Sequence, residues 1–396
     1  MNRITRYAMF GLLYFAQGAV LSYFTALNSL YLLKFDLSMS QIGLVGAIGL
    51  IPFVLKIFLG MLSDRVNLAG MGHRKPYILI GLIIQAACLA AVPQINPGLQ
   101  FGLYTLLAFV LMLGMALYDT CTDGLALDTT PPVEQGTIQG FMVGGRALGV
   151  VAISALLGWM VEQAGWPAAF YSLAALTLLP LPLVWRVTEP PRKPEMKFTW
   201  GAFRAFAHFP IIALAILGAL YSLVINGANQ IVNPFLQSQF GIGYATAGLV
   251  TTVWGIGVVL GSLAGGRLTD RWGQRTSVVR AMFLSFGAIL LLAFTSQGWQ
   301  VWPLVILFGL AYGFYETVYF AISMNKTDPR IAASMFSILM AVANIGTGIG
   351  LALSGGLVDS TGFPLTFAIL AGLNVLALPL IPAIFGKNQN VLPGEY

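Results

Sequence analysis

Five ionisable residues stand inside long apolar stretches of this 396-residue sequence: Lys56, Asp119, Asp123, Arg146 and Glu316. If those stretches cross a bilayer, each charge costs at least about 2.5 kcal/mol on insertion scales, so each needs a partner or a task. Asp119 and Asp123 lie one helical turn apart on one face. Two carboxylates beside one cation cannot easily both stay ionised, so one of them could carry a proton. Asp119 lies about thirteen residues before the turn at Pro132-Val133, and Arg146 about thirteen after it. At 1.5 Å per residue the two share roughly one depth, and an ion pair between them is expected. The alternative is a polar cluster that only locks helices together.

A second acid sits at the same depth. Superposing Pro132 on Pro329 puts Gly149 on Gly346 and Asp119 on Glu316, while Arg146 falls on Ala343. Glu316 therefore has no matching arginine, and is expected to hold a proton or a cationic substrate group. Lys56 stands eight residues before Asp64, about 12 Å inside the end of its span. It could snorkel, pair with an acid or bind an anionic substrate. Asp128 reads as a solvated cap near a span end, and Arg280 as an interfacial anchor.

The elements that must place these charges follow from composition. Hydrophobic residues make up 58% of the chain and charged residues 9%, against about 25% charged in a soluble domain. Stretches of about 20 apolar residues predict twelve spans. The first six are 7–33, 40–63, 76–94, 99–127, 136–161 and 166–186. The second six are 208–236, 245–268, 277–296, 300–325, 331–357 and 363–385. The run that opens the chain continues past Leu33, too long for a signal h-region, and reads as the first span. The fold class is thus all-α integral membrane, about 12 transmembrane helices. The organisation is an N-terminal bundle (1–187), a polar linker (188–207) and a C-terminal bundle (208–396). With both termini cytoplasmic, 17 of the 20 Lys and Arg fall on the inner side. Lys34 falls outside, and Lys56 and Arg146 fall within spans. The net charge of +6 is a topology signal of the positive-inside kind. It marks no nucleic-acid site.

Several spans are too polar to face lipid. Span 1 carries Gln17 and Asn28; span 7 carries Asn226, Asn229 and Gln230 with Gly227 and Pro234. This predicts a broken helix in span 7 that lines a cavity, or else hydrogen bonds between helices. In span 10, Tyr312, Tyr315 and Tyr319 share a face with Glu316. They could line a site for a cation or a flat ring, or form a packing stripe; Trp254 in span 8 could join them. Glycines in spans 5, 8 and 11 repeat at small-x-x-x-small spacing, which permits close crossings and would suit sliding helices.

An internal repeat makes the reading specific. Gly60-Met61-Leu62-Ser63-Asp64-Arg65 follows span 2 and Gly266-Arg267-Leu268-Thr269-Asp270-Arg271 follows span 8. Each leads to a glycine and basic residues, Gly72-His73-Arg74-Lys75 and Gly273-Gln274-Arg275; the first copy carries about five extra residues. This Gly-x-x-x-Asp-Arg pattern resembles the signature of the major facilitator superfamily. The resemblance implies two six-helix bundles around a central cavity, working by alternating access. It also implies a cytoplasmic gate at Gly60, Asp64, Arg65, Gly266, Asp270 and Arg271, where the alternative is plain helix capping. Tyr14 to Gly18 and Asp119 to Ala126 further resemble the muropeptide permease and acetyl-CoA transporter group, and the folate–biopterin transporters.

No phosphate-binding Gly-x-x-x-x-Gly-Lys-Ser/Thr loop occurs. Two histidines and two cysteines give no metal set, and no nucleophile–base constellation is evident. No enzyme and no cofactor are implied. The expected partners are a small-molecule substrate, protons or sodium, and the lipid bilayer, with the chain acting as a monomer in a bacterial cytoplasmic membrane. The function expected is secondary transport of a small or mid-sized organic solute, coupled to protons. The rivals are a facilitator or sodium-coupled carrier of the same fold, and a membrane sensor or assembly factor that moves nothing.

Overall fold

A computed structural model describes residues 3–131, 134–189, 208–326 and 332–386. The linker from Pro190 to Ala207 and the tail from Lys387 lie outside the described residues. The first half comprises α1 (Arg3–Ala26), α2 (Asn28–Leu33), α3 (Met39–Val54), α4 (Lys56–Arg65), α5 (Lys75–Ala91), α6 (Phe101–Thr129), α7 (Gln135–Leu178) and α8 (Leu181–Trp185). The second comprises α9 (Phe209–Phe240), α10 (Tyr244–Trp272), α11 (Gln274–Ala293), α12 (Val301–Lys326), α13 (Ala332–Thr361), α14 (Phe363–Val375) and α15 (Leu380–Phe385). Eleven helical stretches among the described residues are long and apolar enough to cross a membrane. One of them holds two spans, because Gly165, at φ 82° and ψ 171°, interrupts α7. The fold is two six-helix bundles.

The breaks in the spans have physical causes. Span 7 is one continuous helix, α9, with Pro234 inside it. The expected break lies instead in span 1, at Leu27 (φ −126°) between α1 and α2. Asn233 of α9 donates to the Ala26 carbonyl at 2.8 Å there, so the polar run of span 7 serves the irregular backbone of its counterpart. Span 2 is broken too. Pro52 inside α3 cannot donate to the turn before it, and the helix yields at Leu55 before restarting at Lys56.

The two halves meet most closely at the end away from the Asp-Arg loops. A Cβ on Gly43 would lie 2.2 Å from the Leu351 carbonyl oxygen, and one on Gly248 2.3 Å from that of Ser154. A Cβ on Gly158 would meet the Tyr244 oxygen at 2.2 Å, and one on Gly355 the Met39 oxygen at 2.0 Å. Only glycine permits these approaches, which join α3 to α13 and α7 to α10. Other glycines of spans 5, 8 and 11 do different work. Gly149, Gly261 and Gly350 seat helices within a half, and Gly140 and Gly144 touch nothing.

A carboxylate closes each of these two seams. Asp359 at the end of α13 accepts from the backbone N–H groups of Met39 (3.0 Å) and Ser40 (2.7 Å), and from the Ser40 hydroxyl. Glu162 of α7 accepts from the N–H of Ala245 at 2.8 Å. Each acid thus satisfies the orphan donors that begin a helix of the other half, where the helix dipole favours negative charge. The sequence carries both as a second repeat, Val161-Glu162-Gln163-Ala164-Gly165-Trp166-Pro167 and Val358-Asp359-Ser360-Thr361-Gly362-Phe363-Pro364. Gly165 and Gly362 both take positive φ, at 82° and 79°. In contrast, the hydrogen bonds between the halves reach no nearer the loop end than Asn344 to the Phe53 carbonyl, among the described residues. The interface is sealed at the end away from the Asp-Arg loops and, among the described residues, carries no hydrogen bond between the halves at the loop end.

A prediction follows for the sealed end. Each carboxylate on a helix terminus contributes on the order of 1 kcal/mol. Glu162→Gln with Asp359→Asn should therefore raise the fraction open at this end by roughly five- to thirtyfold. The check is labelling of Asn229→Cys by an impermeant maleimide applied from that side, in a Cys88→Ser, Cys121→Ser background. An unchanged labelling rate would show that the glycine seams hold the closure alone.

Candidate functional site

α6 presents Asp119 and Asp123 one turn apart, and the kink before α4 turns Lys56 toward them. The Lys56 ammonium lies 2.6 Å from Asp119 Oδ2 and 3.7 Å from Asp123 Oδ2. Gln17 of α1 donates to the other Asp119 oxygen at 2.8 Å. Tyr14, one turn before Gln17, donates its hydroxyl to Asp123. Three helices thus converge on two carboxylates, and one ammonium serves both. Their exposures divide the work. The Asp119 side chain is 6% exposed, against 41% for Asp123 and 35% for Lys56. Asp119 is the enclosed anchor; Asp123 and Lys56 front it on the open side.

The expected Asp119–Arg146 ion pair does not form. Equal depth along two helices fixes height but not azimuth. The α7 backbone at Arg146 is pressed onto α1, since a Cβ on Gly18 would lie 2.1 Å from the Arg146 carbonyl oxygen. Tyr14 intervenes: its hydroxyl bonds Asp123 while its ring faces the Arg146 guanidinium, 5.9 Å from the centroid. Among the described residues, Arg146 makes no ion pair within 4 Å. Glu316 of the other half, Tyr14, Asp119 and Asp123 are the acidic and phenolic groups around it.

On the second half, Glu316 is half-buried on α12. Tyr312, one turn before it, donates to Asn226 Oδ1 at 3.1 Å and meets the Trp254 ring edge-on at 5.1 Å. Asn226 in turn donates to Thr347 Oγ1 at 3.2 Å. Tyr315 and Tyr319 lie elsewhere. Both are fully buried and pack on Tyr221 with ring centroids 5.0 Å away. They are core of the second half, not lining, because a stripe at i, i+3, i+4 and i+7 is wide enough to straddle core and cavity. Gln230 donates to the Leu351 carbonyl at 3.0 Å and so ties α9 to α13. Asn229 lines a small cavity with Thr25, Asn233, Thr251 and Trp254, whose indole N–H has no acceptor among the described residues. Asn28 is buried in α2.

At the open end, Arg65, Asp270 and Arg271 are exposed, Gly266 has open space beside it, and Gly60 packs near Thr120. The side chain of Asp64 lies outside the described residues. Asp128 is not a free cap: Arg74 approaches it at 3.5 Å while donating to Ser63 Oγ at 2.6 Å. Arg280 stacks on Trp272, 4.0 Å from the ring centroid. Glu189, at the start of the linker, accepts from the N–H groups of His73 (2.7 Å), Arg74 (2.8 Å) and Lys75 as α5 begins.

The two-bundle fold is matched by known proteins. A family model described as Major Facilitator Superfamily matches residues 10–228 and 214–394. The chain belongs to the major facilitator superfamily. Anhydromuropeptide permease of Escherichia coli K12 is 24% identical over 395 residues, covering 95% of this chain and 79% of the permease. A folate-biopterin transporter of Synechocystis sp. is 25% identical over 362 residues, covering 84% of this chain and 70% of that one. Among solved structures, a bacterial homologue of the human lysosomal transporter Spinster, inward-facing and unoccupied, superposes with a TM-score of 0.82 at 18% identity, covering 97% of this chain and 98% of that one. The chain is thus a transporter of organic solutes rather than an enzyme.

The shared ammonium makes a stability prediction. Lys56→Met would leave Asp119 enclosed without its cation, which costs about 3–5 kcal/mol when one partner of a buried pair is removed. Thermal unfolding in detergent should show a large loss for Lys56→Met. Adding Asp119→Asn should recover most of it. Equal losses in the single and double variants would mean that the pair contributes little.

Proposed function

We propose that this chain is a proton-coupled carrier that moves a small or mid-sized organic solute by alternating access. The observation that carries the reading is one ammonium shared by two carboxylates at mid-span. Lys56 can neutralise Asp119 or Asp123, not both, so a proton on one of them balances the cluster. Asp123 suits that proton, since it is the accessible carboxylate. Asp119, held by Lys56 and Gln17, suits a charge that stays ionised. Glu316, without an ion pair in the second half, supplies a further proton site facing the same opening. A carrier must also expose its site to one side at a time. The seal at the far end and the opening at the loop end fit one such state.

In this reading residues 1–187 and 208–396 rock against each other about the linker at 188–207. Gly60, Asp64 and Arg65, with Gly266, Asp270 and Arg271, form the gate that closes the loop end in the opposite state. The basic residues of those loops place this end, with both termini, in the cytoplasm by the positive-inside rule. The membrane is the cytoplasmic membrane of a bacterium, in keeping with the bacterial relatives, and the chain acts as a monomer.

Purified protein in liposomes with an internal pH-sensitive dye tests this. Solute pools are screened for solute-dependent proton movement. We expect one pool to drive protons in the wild type. Glu316→Gln or Asp123→Asn should reduce that flux by about tenfold or more, while exchange of radiolabelled solute across the membrane persists. Solute uptake with no proton movement would leave a facilitator or a sodium-coupled carrier.

A further inference from the structure

We infer that the transported solute is an organic anion, and that Arg146 receives its carboxylate in competition with Glu316. This rests on the transport reading above but not on proton coupling.

The argument begins with which charges are already satisfied. Of the two mid-span cations, Lys56 is taken by Asp119 at 2.6 Å, with Asp123 behind it at 3.7 Å. Of the three mid-span acids, Asp119 is held by Lys56 and Gln17, and Asp123 by the Tyr14 hydroxyl. Among the described residues, that leaves one guanidinium and one carboxylate without a hydrogen bond or an ion pair, Arg146 on α7 and Glu316 on α12. They belong to opposite halves. An arginine this deep in a membrane protein is expensive unless something balances it. Glu316 and Arg146 feel each other's charge, yet they are not at ion-pair distance. A negative group placed beside the guanidinium would therefore compete with Glu316 for it.

The chemistry of the gap selects a carboxylate. A guanidinium presents a planar fork of donors that matches two carboxylate oxygens, and it stays charged at every relevant pH. The guanidinium carbon of Arg146 lies over the Tyr14 ring, 5.9 Å from its centroid, so an aromatic face borders the fork. On the second half, Tyr312, one turn from Glu316, meets Trp254 edge-on at 5.1 Å, and we take this pair as the wall opposite Arg146. They offer aromatic surface to the solute's carbon frame. A solute that bridges Arg146 and this wall touches both halves at once, which is what a carrier needs if binding is to bias their rocking. The rival arrangement has a cationic solute on Glu316. It would leave Arg146 unbalanced and place two positive charges near each other.

The two arrangements predict opposite signs for one substitution. Titration calorimetry on the detergent-purified full chain would use benzoate, cis,cis-muconate, N-acetylmuramate and folate. The methyl esters of these acids, N-acetylglucosamine and tetraethylammonium would serve as controls. We expect at least one acid to bind and its ester to bind at least about tenfold more weakly. Arg146→Gln should weaken that acid by about tenfold or more. Arg146→Lys should fall between them, because an ammonium keeps the charge but loses the fork. Glu316→Gln removes the competing carboxylate and should tighten the acid by roughly three- to tenfold. Weaker acid binding in Glu316→Gln would overturn the proposal, as would binding unchanged in Arg146→Gln or no binding by any of the acids. If an acid binds as expected but drives no proton movement in liposomes, the anion site stands and the coupled carrier falls.

Discussion

The ammonium of Lys56, held between two carboxylates, constrains the rest of the first half. An aspartate that is almost fully enclosed in a membrane protein needs a cation at hydrogen-bonding distance. Asp119 has one at 2.6 Å. For Lys56 to arrive there, span 2 must bend, and Pro52 with the kink at Leu55 supplies the bend. For the second Asp119 oxygen to be satisfied, span 1 must present Gln17 on the same face as Tyr14, which then takes Asp123. One electrostatic requirement thus fixes the relative azimuth of α1, α4 and α6. It also explains why Arg146 stands apart, since the space beside the acids is already filled by Tyr14.

The second half solves the same geometry with different chemistry. Glu316 repeats the depth of Asp119 by sequence register, but among the described residues no lysine or arginine of its own half pairs with it. The polar groups of α9 that surround this region bond chiefly to other helices. Asn226 reaches Thr347, Gln230 reaches Leu351, and Asn233 reaches across to Ala26. The two halves are therefore symmetric in backbone and asymmetric in charge. A structure of this kind can rock about a common axis while placing a saturated ion cluster on one side and an unsatisfied acid on the other.

Much of the fold was legible because it follows from solvation. Apolar length predicts spans. The repeated Gly-x-x-x-Asp-Arg loops give the twofold relation between halves. Depth was legible as well, since helical rise is a fixed quantity, so Asp119 and Glu316 could be placed together. Azimuth was not. Helical spacing alone cannot say which way Arg146 leaves α7, or that Lys56 is swung inward by a proline three residues from a kink. The same limit put Tyr315 and Tyr319 in the cavity when their rings belong to the core around Tyr221. The break expected in span 7 fell in span 1. A Gly–Pro pair lowers the cost of breaking a helix but does not decide which of two related helices breaks.

One signal lay in the sequence without being read. Val161-Glu162 and Val358-Asp359, each followed by two residues, a glycine, an aromatic and a proline, repeat as faithfully as the Asp-Arg loops. The acid of each is spent on the first turn of a helix in the opposite half. A carboxylate on a helix N-terminus gives a modest stabilisation that an aqueous shell can replace. The glycine seams beside it bury backbone against backbone and leave little room for water. The two together make a closure whose parts reinforce each other while it is shut, and whose acids find water as soon as it opens. That balance suits an interface that must separate and re-form in every cycle. By comparison, a closure built from a large apolar surface would be slow to part.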